Sequence, residues 1–213
     1  AEKREYVSIN DIPKNITDAV LSTEDSRFQS HIGIDPIRLI KAVLVNIRSN
    51  SAQQGASTIT QQVVKNSLLT SDKSLQRKIQ EAYLSLKLEN RYSKDDILEM
   101  YMNKIYYSDG QYGIKTAAKY FYNKELNQLS LPQVALLTGM PQQPILYNPY
   151  DYPKQAKERR DTVLYALLNN DKITEAEKVA DGYDLGSVEI KEQDFINAVN
   201  SVTQKEQDKG MEM

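Results

Sequence analysis

The sequence has no cysteine, no tryptophan, one histidine and three phenylalanines. Without cysteine there is no disulfide framework and no thiolate to hold a metal. A cysteine-free chain also fits an extracytoplasmic bacterial protein. The single histidine, His31, leaves little room for a histidine-rich metal site or an imidazole-based triad. No run of about 18 apolar residues exists, so no segment reads as a bilayer-spanning helix. No stretch of the sequence reads as a secretory leader. The chain opens at Ala1 rather than Met, which fits a domain excised from a longer protein and parted from a targeting or membrane segment. Excess charge is missing too. With 27 basic and 29 acidic residues the net charge is -2, giving no global reason to expect nucleic acid. Any anion site must be local.

What is present is ordinary in bulk and uneven in detail. Hydrophobic residues make up 40% and charged residues 26%, as in a soluble globular protein with one sizeable core. Fourteen tyrosines outnumber every other aromatic, and an apolar ring with a polar tip suits a groove that handles sugars or headgroups.

The most informative stretch runs from Ala19 to Gly33, AVLSTEDSRFQSHIG. Apolar Ala19, Val20 and Leu21 lead into adjacent carboxylates, Glu24 and Asp25. On a continuous helix Glu24, Phe28 and His31 would share one face, with Asp25 turned about 100° away. A carboxylate among apolar neighbours can act as a general acid or base near neutral pH. The alternative is an ordinary solvated glutamate, with His31 capping the segment.

The remaining pattern is helical. Residues 1–12 read as polar and extended, and Pro13 opens a helix through the acidic pair to a break at Ile32-Gly33. Asp35-Pro36 starts another, Ile37–Ile47, too apolar all round to be freely solvated. It suits core burial or, with Arg38 and Lys41, a membrane surface. After the polar loop 49–55, Gly55, Ser57 and Thr58 form a helix entrance with Lys65 two turns in. This is an anion site or plain capping by Ser57. Residues 71–90 give the clearest helix, with Leu75, Ile79, Ala82, Tyr83 and Leu86 on an apolar face. Lys73, Arg77 and Glu81 lie opposite, with Lys78 beside them. Leu84 and Leu88 continue that polar face, so it should become covered and set its charges at the edge of a cleft. A capping box at Ser93–Asp96 opens a helix over Ile97–Asn103. Further helices are expected over 114–122, from Ser130 to Pro141, and from Lys154 to Leu168, with a short one capped by Thr174. A Pro- and Tyr-rich strap covers 141–153. The polar stretch from about Asp181 reads as a linker or tail. No convincing strand pattern appears, so the domain is mainly α.

Five ordered segments then carry a family resemblance. EDSRFQSHIG, GASTITQQ, RKIQE, ILEMYMN (with Met102 where Leu is usual) and LPQVALLTGMPQQPILYNPY resemble the five motifs of family 51 glycosyltransferases. These are the peptidoglycan glycosyltransferase domains of class A penicillin-binding proteins and monofunctional transglycosylases. The resemblance runs from about Ile12 to Leu168. It implies a lysozyme-like helical head over residues 1–180 with a smaller, membrane-facing jaw at roughly 34–70. The tail 181–213 would lead towards a possible transpeptidase domain in the same parent chain. The implied substrates are lipid II and the growing glycan strand, outside the cytoplasmic membrane, with an N-terminal anchor.

The resemblance also assigns roles. Glu24 is the base and Glu81 the second essential acid, orienting cations or donor. Lys65, Lys73, Arg77 and Lys78 face the leaving pyrophosphate, with Ser57, Gln61 and Gln62 hydrogen-bonding nearby. Asp25 and Phe28 belong to the substrate side of the first motif, Asp25 and His31 also supporting the local fold. Tyr106 lines the groove or packs in the core, and Lys94 and Asn103 are structural. No cofactor is required; a divalent Mg or Mn would be stimulatory, and no dedicated metal cage is present. Two rival readings share parts of the pattern. A lysozyme-like sugar hydrolase would keep the glutamate without needing the Lys73/Arg77/Lys78 cluster. A non-catalytic module would bind lipid II without turnover.

Overall fold

A computed structural model describes residues 3–40, 57–68, 74–174 and 177. Helix α1, Lys14–Glu24, follows Pro13 and buries Ile16, Ala19, Val20 and Glu24. It packs between two later helices, α6 (Leu131–Gly139) and α7 (Pro153–Asn169), which also pack on each other. That contact is close because position 139 is glycine. A Cβ there would lie 3.0 Å from Arg159 Cγ and 3.1 Å from Val163 Cγ2. Ile16, Val163 and Leu137 are fully buried at this junction, each stabilising by roughly 2 kcal/mol.

A second layer is formed by α2 (Ile59–Leu68), which packs on α3 (Leu75–Arg91) and α4 (Lys94–Lys104). Ser93 closes the expected capping box with Asp96 at the start of α4. A turn at Ser108–Gly110 with positive φ throughout leads to α5, Ile114–Tyr122. The strap 141–153 is irregular and ordered. Asp35 caps the helical residues 36–40, its Oδ1 accepting from Ile37 and Arg38 N–H at 3.1 Å each.

The N-terminal segment is extended, and two residues of it, Lys3–Arg4 (β1), pair in parallel with Gln111–Tyr112 (β2). Asn103 holds the following turn. Its Oδ1 accepts from Val7 N–H and its Nδ2 donates to Val7 C=O, both at 2.8 Å. This is the structural role expected of it.

Three expectations change. The helix through Glu24 does not reach Ile32-Gly33; Asp25 caps it and a 3-10 turn, Phe28–Ser30, follows. The apolar face drawn on α3 points outward, with Ile79 63% and Tyr83 54% exposed. The face turned inward is the polar one, as the run through Leu84 and Leu88 suggested. Its members are satisfied there: Glu81 by Lys78, Ser85 by the Glu81 carbonyl, and Glu89 by Thr60 and Lys94. Finally, α2 lies inside the stretch expected to form the jaw, yet Ile59 and Val63 belong to the main core. Residues 41–56, which carry most of the apolar helix and the polar loop, lie outside the described residues, as do Lys73 and the tail 181–213.

Candidate active site

Glu24 ends α1, so its backbone carbonyl has no partner within the helix. The Arg38 guanidinium donates to it. The side chain is nearly buried, and each carboxylate oxygen has a donor. Gln62 Nε2 donates to Oε2 at 3.1 Å, and Arg159 Nη2 donates to Oε1 at 3.3 Å. Arg159 is itself held, with Nε donating to the Gly139 carbonyl at 3.0 Å and its guanidinium 5.7 Å from the Tyr147 ring centre. A buried carboxylate with one charged and one neutral donor keeps a fixed orientation and still offers lone pairs to a substrate hydroxyl. Below it lie Tyr101 and Tyr107, fully buried. Burial, then the nearby Glu24 charge, pushes both phenols well above their usual range, so both stay protonated.

Asp25, the C-cap of α1 and already outside the helix, has no exposed surface and takes different partners from Glu24. Its Oδ2 accepts from Ile59 N–H and His31 Nε2, both at 2.9 Å. Gly33 N–H donates to His31 Nδ1 at 3.0 Å, so Nδ1 carries the lone pair and Nε2 the proton. Asp25 thus ties the end of α1 to the start of α2. Phe28 is equally buried, edge-on to His31 and under the Lys94 ammonium at 4.5 Å. Lys94 also donates to the His31 carbonyl at 2.7 Å, the structural role expected of it. The expected common face of Glu24, Phe28 and His31 is therefore not formed, because the chain leaves the helix at Asp25.

The entrance of α2 is capped by Thr58 rather than Ser57. Gln61 N–H donates to Thr58 Oγ1 at 3.1 Å, and Thr58 N–H to Gln61 Oε1 at 2.9 Å. Thr58 Oγ1 also donates to the Gly33 carbonyl at 2.7 Å. Gln61 is buried and spends its carbonyl on this cap. Ser57 is left outside the cap and accepts from Lys78 Nζ at 3.1 Å. The same ammonium pairs with buried Glu81. Arg77 lies in the first turn of α3, its N–H donating to Ser74 Oγ at 3.2 Å. Ser57, Lys78 and Glu81 thus stand together at the entrance of α2, and Gln62, one turn on, touches Glu24.

Gln62 also lines a groove of about 570 Å³, with Lys65 and Tyr106 among its walls. Among the described residues no group of three or more histidine and acidic side chains gathers as a metal site. Arg159 was not singled out from sequence. Its side chain is only 11% exposed, one turn before buried Val163, and a nearly buried cation there needs an anion.

Comparison with known proteins agrees. The transglycosylase family matches residues 1–168. Penicillin-binding protein 1A/1B of Bacillus subtilis is 48% identical over 186 residues, covering 84% of this chain and 20% of that protein. Penicillin-binding protein 1A of Streptococcus pneumoniae is 49% identical over 172 residues, 79% and 24% respectively. The chain therefore spans only about a fifth to a quarter of these relatives. The crystal structure of penicillin-binding protein 1A from Haemophilus influenzae superposes with a TM-score of 0.52 at 24% identity, over 84% of this chain and 17% of that one. That likeness agrees with a mostly helical, lysozyme-like transglycosylase fold. With 168 matched residues carrying the five motifs and the Glu24 site, the chain belongs to the transglycosylase family, the peptidoglycan glycosyltransferases.

Proposed function

We propose that the domain polymerises lipid II into β-1,4-linked glycan strands by a single inverting displacement of undecaprenyl pyrophosphate. The donor sugar is α-linked and the product β-linked, so one base must deprotonate the acceptor 4-hydroxyl and no carboxylate nucleophile is needed. Glu24 is that base. The observation that carries the reading is its setting: a nearly buried carboxylate oriented on both oxygens by Gln62 and Arg159. As the C–O bond to the donor breaks, negative charge collects on the pyrophosphate. Lys65, Lys73, Arg77 and Lys78 would receive it, with Ser57 hydrogen-bonding and Glu81 holding Lys78 in place. Asp25, Phe28 and Gln61 act from beneath, by fixing the α1 and α2 ends. No cofactor is needed. Mg or Mn would stimulate by screening pyrophosphate charge, but the described donor set builds no cage, so no step runs through a metal.

The setting in the cell follows from the substrate. Its lipid places the enzyme at the extracytoplasmic face of the bacterial cytoplasmic membrane. Exposed Ile32, Ile37, Leu39 and Ile40, leading into the expected jaw, support a membrane-facing surface. The described residues contain no membrane-spanning helix, which is consistent with an anchor elsewhere in a parent chain. The short coverage of the penicillin-binding relatives supports a parent that also holds a transpeptidase domain.

The test is glycan polymerisation from purified lipid II in detergent, with and without divalent metal. Wild type should make polymer, and Glu24→Gln should lose on the order of 10²–10⁴ in rate. Glu81→Gln should also lose most activity. Cleavage of preformed glycan without polymerisation would overturn the reading in favour of a hydrolase. Lipid II binding without either reaction would overturn it in favour of a binding module.

A further inference from the structure

The groove that Gln62 lines has further walls that the proposed chemistry does not use. Its charged walls are Arg4 and Lys104, together with Lys65. No carboxylate lines it, although the chain as a whole is slightly acidic. Its aromatic floor is a pair, Tyr106 and Tyr112, with ring centres 4.9 Å apart.

Arg4 is not a loose terminal residue. It pairs in register with Tyr112 across the two-stranded sheet, and its guanidinium lies 4.8 Å from the centre of that ring. The next residue is pinned twice: Glu5 N–H donates to Thr116 Oγ1 at 2.7 Å, and its carboxylate meets Lys119 at 2.9 Å and Lys115 at 3.6 Å. Lys104 is steadied from the other wall by Ser67 Oγ at 3.1 Å. The N-terminal segment is therefore built into the groove, and brings a cation to it.

Flat aromatic faces bordered by fixed cations match a sugar that carries a carboxylate. The ring packs its C–H face on tyrosine, and the carboxylate pairs with a guanidinium or ammonium. We propose that Arg4, Lys104, Tyr106 and Tyr112 form a subsite for the acidic peptide stem and attached sugar of the strand being elongated. This rests on the glycan polymerase reading. It gives the N-terminal segment a part in substrate recognition, distinct from the pyrophosphate cations on α2 and α3. The subsite would favour strands whose stems keep free carboxylates over strands whose stems are amidated.

The test uses the full 213-residue chain and three lipid-free tetrasaccharide probes: peptide-bearing, peptide-bearing with carboxylates amidated, and without peptide. Binding is followed by calorimetry, with lipid II polymerisation by wild type measured in parallel. Wild type should bind the acidic probe about five- to tenfold tighter than the amidated one. Arg4→Gln and Lys104→Gln should each remove most of that preference while changing the peptide-free probe by less than about twofold. Tyr112→Leu should weaken all three. Circular dichroism of each variant separates loss of fold from loss of contact. Equal affinity for all three probes, or Arg4→Gln weakening all three alike, would overturn the subsite. Wild type that polymerises without discriminating sinks the subsite and leaves the polymerase reading. Wild type that discriminates without polymerising keeps the subsite and sinks that reading.

Discussion

The Glu24–Arg159 pair joins α1 to α7 across the candidate site, and its strength can be isolated by a double-mutant cycle. At 3.3 Å the Coulomb attraction is about 5 kcal/mol for an effective dielectric near 20. Both side chains are only 11% exposed, so desolvation returns part of that gain. Breaking a buried pair from one side costs about 3–5 kcal/mol when the survivor is stranded. Neither survivor is fully stranded here. Glu24 keeps Gln62, while Arg159 keeps the Gly139 carbonyl and the Tyr147 face. Arg159→Met should therefore cost about 2–4 kcal/mol and Glu24→Gln about 1–2 kcal/mol. The double variant should fall short of their sum by about 1.5–3 kcal/mol. Urea denaturation of all four proteins measures this. Arg159→Lys should restore little, because one ammonium cannot span both Gly139 and Glu24 as the guanidinium fork does. A coupling within about 0.5 kcal/mol of zero would refute the claim that Arg159 holds the Glu24 carboxylate.

Other consequences can be read in the same assays. Gly33 has φ of +99°, and a Cβ there would meet the Ser85 carbonyl oxygen at 2.7 Å, so Gly33→Ala should cost about 2–4 kcal/mol. Unchanged stability would mean that the turn does not press on α3. Thr58→Ala removes both the α2 cap and the bond to Gly33, and should cost about 1.5–3 kcal/mol, whereas Thr58→Ser should recover most of it. Equal losses in the two variants would refute the cap. The N-terminal segment should be released by acid. The Tyr6 hydroxyl, then Ile9 N–H, hold Glu99 below the ordinary value of 4.5, and Lys119 does the same for Glu5. Because the folded values are depressed, the stabilisation is complete above about 4.5 and lost as pH falls through the folded values. Protection factors of the Val7 and Ile9 amides, corrected for intrinsic exchange, should be constant from about pH 7 to 5 and fall below about pH 4. Flat protection down to pH 3 would refute the linkage.

Local chemistry was largely legible in the sequence. Asp35, Ser93 and Pro13 announce helix starts because a side-chain oxygen or a fixed φ acts within one turn. The five motifs located Glu24, Gln62 and Glu81 because each motif is short and ordered. Periodicity misled where the buried stripe is polar. On α3 the inward residues are Glu81, Ser85 and Glu89, each satisfied by a partner from its own turn, from α2 or from α4. A rule that buries apolar residues turned that helix the wrong way round, leaving Ile79 and Tyr83 outside.

The least legible feature is the one that orients Glu24. Arg159 is 135 positions from Glu24, and no local pattern connects them. The link becomes visible only when three facts are combined. The Arg159 side chain on α7 is largely covered, a carboxylate closes the buried side of α1, and Gly139 lets α6 and α7 approach closely enough for one guanidinium to bond both a backbone carbonyl and that carboxylate. An arginine on an apolar stripe is costly unless it is paired. The same cost makes it informative, since it requires an acid on a facing helix. In this chain Glu24 meets that demand from the end of α1, so packing of α7 and orientation of that carboxylate are a single event.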